Sequence, residues 1–584
     1  VLTDAQDDLT AQDDPAADGG QEGTPGGSAA GARAGARARV RLVAGWVTTA
    51  LACLLLVFAL SAPNQIGQFT PLVFVRIPAE GLIAALLALV LPARLRQVTA
   101  GFLGVCLGLL TLMKILDMGF NEALDRPFDL VGDWPLLGDA VDYVGRSYGQ
   151  AGATGAVIVA VLLVLAVLVL MTLSMLRLTR LVARYRTTAT PTVAAFGVVW
   201  VICAALGLQI LPGMPFASKS AAGVTLHRLR QAEADYRALG GFSKEAGVDA
   251  FRDTPGDQLL TALRGKDVLV SFVESYGRVA LDDPQMAPQI GAILDDGTRR
   301  LDAAGFASRS AFLTSPTAGG GSWLAHSTLL SGVWINNQQR YSKLLASKRF
   351  TLNRAFQRAG WRTVDVEPGL SRPWPQGAFY GSDRLYTAKD LGYRGPTFNF
   401  RSMPDQYTLN TFQKLERSAP DHAPVMAEMV LLSSHSPWAP LPHLVDWDKV
   451  GDGTVFAGMP EAGDSPSVVR DQVRAAYRQS IEYTLSTLIS YLEKYGDKNL
   501  VLVFLGDHQP APLVAGTGAV RQVPVTIVAR DPAVLDRISG WGWQPGLKPA
   551  PQSPVWPMNQ FRDRFLTAFG SQAQPAASPS TPPH

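Results

Sequence analysis

An aspartate followed directly by a histidine, Asp507-His508, closes the run Asn499-Leu-Val-Leu-Val-Phe-Leu-Gly-Asp-His. A carboxylate oxygen and an imidazole nitrogen side by side are a hard and a borderline ligand for a divalent cation. Three more groups stand in comparable surroundings: Glu274 after Asp267-Val-Leu-Val-Ser-Phe-Val, Ser322 after Gly319-Gly320-Gly321, and His435 after the apolar run 425–432. A serine that opens a helix behind glycines exposes its hydroxyl where backbone N–H groups and the helix dipole favour an anion. That hydroxyl becomes a nucleophile once a base or a metal lowers its pKa. Glu274, Asp507 and His508 could hold such a metal, which would stabilise the Ser322 alkoxide and polarise a phosphoryl oxygen. His435 could donate to the phosphate or protonate the leaving group. The set points to double displacement at phosphorus through a covalent phosphoserine. Singly, each member has an ordinary explanation: a polar turn, a carboxylate favoured by a helix dipole, an N-cap serine, a loop histidine. Their joint recurrence favours the chemical reading.

The elements that must position these groups are legible. The unbroken apolar run 500–505 reads as a strand buried on both faces of a largely parallel sheet, ended by Gly506. Further strands are expected at 267–273, 309–314, 362–366 and 425–432, alternating with helices at 287–304, from Ser322, at 350–359 and at 472–494. This alternation is the pattern of an α/β domain, a mostly parallel central sheet flanked by helices. Right-handed crossovers bring the carboxyl ends of such strands to one edge, where open sheets place their ligands.

Ahead of this domain the chain changes character. Residues 1–38 are rich in Asp, Gly, Ala and Gln, the composition of a disordered tail. Residues 39–213 hold five apolar runs, at 42–62, 72–91, 98–116, 156–176 and 193–211, each near the ~20 residues that span a bilayer. A long first run followed by further spans argues against a cleaved signal peptide. Arg33, Arg37, Arg39 and Arg41 precede the first run, Arg94 and Arg96 lie between the second and third, and Arg177, Arg180, Arg184 and Arg186 between the fourth and fifth. The 117–150 connection carries Asp125, Asp129, Asp133, Asp139 and Asp142. Basic loops stay cytoplasmic, so a cytoplasmic N-terminus and an extracytoplasmic C-terminal domain in a multi-pass cell-membrane protein are expected. Arg76, Glu80, Lys114 and Asp117 at membrane depth read as an ion pair and snorkelling side chains, with a lipid headgroup contact as the alternative. Residues 214–265 form a connecting segment with a helix at 226–239, 266–570 the catalytic domain, and 571–584 a Pro/Ser/Ala-rich disordered tail. A net charge of +3 gives no sign of a nucleic-acid partner. Cys53, Cys106 and Cys203, the 3 cysteines, all lie in expected spans, so the exported part has neither disulfides nor thiol chemistry. Heavy use of Ala, Gly, Arg and Pro points to a GC-rich bacterial source.

Phe272-Val-Glu274-Ser-Tyr-Gly, the glycines before Ser322, Ser433-Ser-His435-Ser-Pro-Trp and Phe504-Leu-Gly-Asp507-His508 occur in that order. This resembles the alkaline-phosphatase/sulfatase superfamily, and within it the membrane-bound lipoteichoic-acid synthase and phosphoglycerol transferase branch. The resemblance covers about 266–569, with the membrane part matching as architecture. It implies Glu274, Asp507 and His508 as ligands of one divalent metal ion, Mn2+ foremost with Mg2+ or Zn2+ possible. Ser322 would be both ligand and nucleophile, and His435 a substrate contact. It further implies a phosphatidylglycerol-like membrane phospholipid as donor of a phosphoglycerol-type group, with an envelope glycan or glycolipid as acceptor. The branch usually carries threonine where this chain has Ser322; Thr317 is a weaker candidate nucleophile. Residues 371–384 fall where the family binds its headgroup, with Tyr380 and Arg384 as nearest fits and Trp374 and Arg372 as alternatives; an ordinary Pro/Gly loop is the other reading. His326, one helical turn after Ser322, lies on the same face and approaches the site or packs.

Rival readings use the same site differently. A phosphodiesterase or phosphatase would take water as acceptor. A sulfatase would need a formylglycine motif, and Ser322-Trp-Leu-Ala-His326 lacks its arginine. Phosphoethanolamine transferases usually bring disulfides to the exported domain. A non-catalytic descendant would bind lipid or partner proteins through the retained fold.

Overall fold

The computed structural model describes residues 27–571, except 212–213, most positions of 219–238, 372–373 and 460–468. Residues 1–26 and 572–584 of the expected tails and most of the 226–239 helix lie outside the described residues; residues 27–38, expected as disordered tail, instead form the first turns of a helix, Gly27–Ser61, which their Ala- and Arg-rich sequence favours.

Four helices are long and apolar enough to cross a membrane, over Arg39–Ser61, Ala93–Leu124, Gly149–Arg184 and Arg186–Ala205. They belong to α1 (Gly27–Ser61), α3 (Ala93–Leu124), α4 (Trp134–Arg184) and α5 (Arg186–Ala205). This corrects the expected five. The second apolar run supplies only the 12-residue helix α2 (Ala79–Val90). At 1.5 Å per residue α2 spans about 18 Å, short of a ~30 Å hydrocarbon core. Its proline content explains the shortening. Pro71 opens a separate 3-10 turn, Pro71–Val75, and Pro78 forces Ile77 out of helical geometry before α2 begins. Ile77 and Pro78 instead pair in parallel with Ala217 and Ser218.

Lys114 has an internal role. Its Nζ donates to the carbonyls of Ala59 (2.8 Å) and Ala62 (2.9 Å), satisfying the exposed acceptors at the end of α1. The α3 and α4 ends joined by the acidic 125–133 connection abut the sheet domain. There Asp125 accepts from the Gly518 N–H at 3.1 Å, and Tyr143 stacks on Phe400 with centroids 6.0 Å apart.

The sheet domain is built on nine strands: β1 (Asp267–Val273), β2 (Ala307–Thr314), β3 (Arg362–Glu367), β4 (Arg384–Thr387), β5 (Val425–Leu431), β6 (Leu500–Gly506), β7 (Gln522–Ala529), β8 (Gln544–Pro545) and β9 (Val555–Pro557). Their order is β8-β2-β7-β6-β1-β5-β3-β4, with β9 also on β2. β6, β1, β5, β3 and β4 form one parallel block. β7 runs against β6 and β2, so the sheet is mixed but mostly parallel. Every residue of β1, β5 and β6 is buried, which is why these strands read as unbroken apolar runs.

Helices cover both faces. α6 (Ala287–Ala303) and α9 (Arg470–Tyr495) pack in one apolar layer with Leu269, Leu502 and Phe504. α7 (Ser322–Ser331), α8 (Leu352–Arg358) and α10 (Gln560–Phe569) pack in the other with Val270, Phe272 and Val503. Alternate residues of each strand therefore feed opposite layers.

Candidate active site

Glu274, Ser322, Asp507 and His508 come together at the carboxyl ends of β1 and β6, with Ser322 as the first residue of α7. Gly506 lets this happen: a Cβ there would fall 1.8 Å from the Tyr276 carbonyl oxygen, so the chain after β1 can cross the end of β6 only over glycine. The Ser322 hydroxyl donates to Glu274 Oε2 at 3.0 Å and lies 3.2 Å from His508 Nε2. His508 Nε2 is 3.3 Å from Glu274 Oε1 and 3.6 Å from Asp507 Oδ2. Glu274, Asp507 and His508 are buried and Ser322 is half-buried.

Each ligand-type atom is aimed by a second contact. Asp507 Oδ1 accepts from the backbone N–H groups of Ser275 and His508, both at 2.7 Å. That leaves Asp507 Oδ2 buried with no hydrogen-bond partner among the described residues. His508 Nδ1 lies 2.8 Å from the Gln509 carbonyl, so it donates there and directs Nε2 toward Ser322. Ser275 Oγ donates to Glu274 Oε1 at 2.8 Å, and Ser434 Oγ donates to the Glu274 carbonyl at 2.6 Å.

The charges are strongly coupled. Burial alone would lower His508, but the Asp507 and Glu274 carboxylates push it up to about 9. Burial and the neighbouring Glu274 charge raise Asp507 to about 7. Burial opposes ionisation of Glu274, yet His508, Ser275 and His435 hold it well below the ordinary carboxylate range. An anionic pocket neutralised by a shared proton is one that a divalent cation can enter in the proton's place. The oxygen, oxygen and nitrogen donors converging on the Ser322 hydroxyl fit a divalent metal, and the partnerless Asp507 Oδ2 is the acceptor such an ion would satisfy.

His435 stands near enough to contribute to the Glu274 shift. Its Nδ1 is 2.6 Å from the Ser436 carbonyl and its ring stacks on Phe400 at 3.9 Å. His326 is buried behind the site: its ring stacks on Phe272 at 3.9 Å, and Nε2 stands 4.0 Å from Asp507 Oδ2. Tyr380 is buried too, its hydroxyl 2.7 Å from Ser327 Oγ on α7, with Trp374 stacked against it at 5.6 Å. Arg384 is not brought to the site. It opens β4 opposite Val364, at the far end of the strand from the gathered carboxyl termini, and pairs with Asp390 at 3.4 Å. Arg372 lies outside the described residues. Thr317 is occupied in the glycine turn, donating to the Gly320 carbonyl at 2.6 Å.

Sequence reasoning missed Ser275 and Ser434, short polar residues beside Glu274 and His435; the contacts of the Ser275 N–H with Asp507 and of Ser434 with the Glu274 carbonyl exist only once the strands are paired. It also missed a carboxylate cluster made by Asp365, Glu367 and Glu428. Burial raises Asp365 to about 7, burial and Asp365 raise Glu367 to about 8, and burial lifts Glu428 well above its ordinary value. The signal was present: acidic residues inside Val364-Asp-Val-Glu and Val425-Met-Ala-Glu-Met-Val break strands otherwise apolar enough to be buried.

Residues 295–520 match the sulfatase family model. Among solved structures, the chain is similar to the lipoteichoic acid synthase LtaP of Listeria monocytogenes, at 15% identity over 57% of this chain and 78% of that one, with a TM-score of 0.36. It is similar to the phosphoglycerol transferase GacH of Streptococcus pyogenes, solved with sn-glycerol-1-phosphate, at 14% identity over 57% and 90% of the two chains, with a TM-score of 0.33. It is also similar to the lipooligosaccharide phosphoethanolamine transferase EptA of Neisseria meningitidis, at 12% identity over 89% and 94%, with a TM-score of 0.42. No curated protein matches the chain. The stretch that matches the sulfatase family model contains Ser322, Asp507 and His508, and Glu274 joins them from just before it.

Proposed function

We propose that this protein moves a phosphoglycerol-type group from a membrane phospholipid to an acceptor in the cell envelope through a phosphoserine on Ser322. The observation that carries the reading is the Ser322 hydroxyl held 3.0 Å from Glu274 Oε2 and 3.2 Å from His508 Nε2. Glu274, Ser322, Asp507 and His508 would hold one divalent metal ion, and their mixed carboxylate and imidazole donors suit Mn2+ or Zn2+. When bound, the ion supplies Lewis-acid stabilisation of charge at the hydroxyl and at phosphorus.

Ser322 Oγ forms a bond to the donor phosphorus as the bond from phosphorus to the diacylglycerol oxygen breaks. The Ser322 proton passes to His435 and from it to the diacylglycerol oxygen as that group leaves. An acceptor hydroxyl then attacks the phosphoserine as the bond from phosphorus to Ser322 Oγ breaks, and the acceptor's proton passes to Ser322. Trp374, half-buried and stacked on the buried Tyr380 that bonds α7, is the aromatic group available beside a bound headgroup. Export of the domain rests on charge. The α3 and α4 ends next to the sheet domain are joined by the acidic connection, while Arg94, Arg96, Arg177, Arg180 and Arg184 lie toward the opposite ends of these helices. A membrane-anchored catalytic edge works where a lipid donor is concentrated.

The test uses the full chain in nanodiscs containing fluorescent phosphatidylglycerol and Mn2+, beside Ser322→Ala. Metal-dependent release of diacylglycerol that disappears in the variant, with a phosphoglycerol adduct on the Ser322 peptide, is the expected result. Release without an adduct would overturn the phosphoserine. No release from a folded, metal-loaded protein would overturn phosphatidylglycerol as donor.

A further inference from the structure

Under α7, on the sheet face away from α9, lies a charged group that the proposed reaction does not use. Asp365 and Glu428 stand opposite one another across the β3–β5 pair, and Glu367, two residues along β3, projects to the same face. Asp365 and Glu428 are 3% and 5% exposed, and Glu367 is half-buried. Among the described residues no lysine or arginine pairs with any of the three; the basic group that faces them is His326 of α7, whose Nδ1 is 3.9 Å from Glu428 Oε1. Ligand atoms of His326, Glu367 and Glu428 all lie within 4.8 Å of one another.

Acidic side chains alone do not make a site, but two further atoms here lack partners. Asn353, 0% exposed on α8, sets its Nδ2 against Asp365 Oδ1 (3.0 Å), Glu428 Oε2 (3.2 Å) and Ser382 Oγ (3.2 Å). Three acceptors compete for two amide hydrogens, while Asn353 Oδ1 has no hydrogen-bond partner. Half a turn of this amide would present that oxygen to the carboxylates, a placement favourable only with a cation between them. His326, 8% exposed, also leaves Nε2 without a hydrogen-bond partner. If Nδ1 gives its lone pair to a cation on the Glu428 side, the proton sits on Nε2 and points toward the open Asp507 Oδ2, 4.0 Å away. That tautomer turns the imidazole's one proton toward the first site and its lone pair toward the cluster.

We propose that Glu367, Glu428 and His326 hold a second divalent cation beneath the nucleophile helix, with Asp365 and Asn353 as its surrounding shell. Two carboxylates and an imidazole are oxygen and nitrogen donors of the kind that suit Mn2+ or Zn2+. Such an ion would neutralise the buried carboxylates and fix the imidazole that faces Asp507, an outer-shell arrangement that tunes a neighbouring metal.

The test is metal content, which needs no substrate and therefore fails or succeeds independently of the proposed transfer. Full-length protein in detergent is equilibrated with Mn2+, desalted, and its manganese measured per chain by mass spectrometry. The wild type should retain about two equivalents, and Glu428→Gln, Glu367→Gln and Asp507→Asn about one each. Glu428→Gln combined with Asp507→Asn should retain essentially none. Two nearby Mn2+ ions should also broaden the wild-type electron paramagnetic resonance signal, which sharpens in each single variant. One equivalent in the wild type, or a second equivalent surviving both Glu428→Gln and Glu367→Gln, would overturn the proposal. Glu367→Gln, at a half-buried position, decides the matter if Glu428→Gln does not fold.

Discussion

Gly319 packs against the backbone of Ala123 so closely that a Cβ on it would fall 2.0 Å from the Ala123 carbonyl oxygen. Ala123 is the penultimate residue of α3, and Gly319 begins the turn that delivers Ser322. A helix long and apolar enough to cross a membrane thus ends directly on the loop that sets Ser322. Gly319 also has φ +75°, a region that costs a residue with a side chain roughly 1–2 kcal/mol. Gly319→Ala must therefore displace either the α3 end or the turn. Because a displacement near 1 Å can lower rates about 100-fold, diacylglycerol release should fall by about that factor while manganese content stays unchanged. Unaltered turnover would show that the contact does not position Ser322.

Ser275 offers a milder perturbation of the same centre. Its hydroxyl donates to Glu274 Oε1 and its N–H to Asp507 Oδ1, so it orients one oxygen of each carboxylate. Ser275→Ala removes only the first contact. Outer contacts of this kind are worth about 10–100-fold in metal affinity, and a Mn2+ titration of the full chain should show a loss in that range. Equal affinities would mean that Glu274 is held by the fold alone.

Metal affinity should also depend on pH in a defined direction. Without metal, His508 is held protonated up to about 9 by Asp507 and Glu274. Nε2 cannot bind an ion while it carries that proton, so below pH 9 binding must release it. Apparent Mn2+ affinity should rise with pH toward about 9 and level off above it. A titration series that is flat between pH 6 and 9 would contradict this proton competition, and the cited value sets that window.

Much of this arrangement is visible in the sequence, for physical reasons that differ by residue. Leu500–Gly506 and Asp267–Val273 are buried on both faces, so apolar continuity reveals them, and the group after each strand is placed automatically at the sheet edge. Ser322 is legible because glycines and a helix start are local signals. The antiparallel strand Gln522–Ala529 escaped because Pro524 and Thr526 interrupt its apolar pattern and nothing local states its partners. The 72–91 run misled because hydropathy ignores Pro78, which shortens the helix without making the segment polar. Motif position says nothing of strand register: only the pairing of β3 with β4 puts Arg384 at the end of β4 far from the gathered carboxyl termini. Glu428 and Asp365 are detectable as charges inside strands, but their partnership requires the β3–β5 pairing.

Asp249 carries the clearest stability prediction. Its carboxylate lies 3.0 Å from Arg562 Nη1 and 3.2 Å from Arg349 Nε, and the side chains of Asp249 and Arg562 are 0% exposed. The contact joins the connecting segment, the approach to α8 and the C-terminal helix α10. Burial alone would raise Asp249, but Arg562 and Arg349, with the Phe251 N–H, hold it below its ordinary value. A carboxylate depressed in the folded state stabilises at pH above its unfolded pKa, and that stability is lost as pH falls through the folded pKa. Asp249→Asn removes the anion that two buried guanidinium groups share, leaving Arg562 only Asp563, at 2.6 Å, as a carboxylate partner, so the cost falls at the lower end of the range for a broken buried pair, about 3 kcal/mol. Chemical unfolding of the full chain at pH 7 should show a deficit of that size. The deficit should shrink below about pH 4, the ordinary Asp range, as the wild type protonates. A loss under about 1 kcal/mol at pH 7 would mean that solvent or neighbouring groups compensate the guanidinium charges, and that this triad does not tie the segments together.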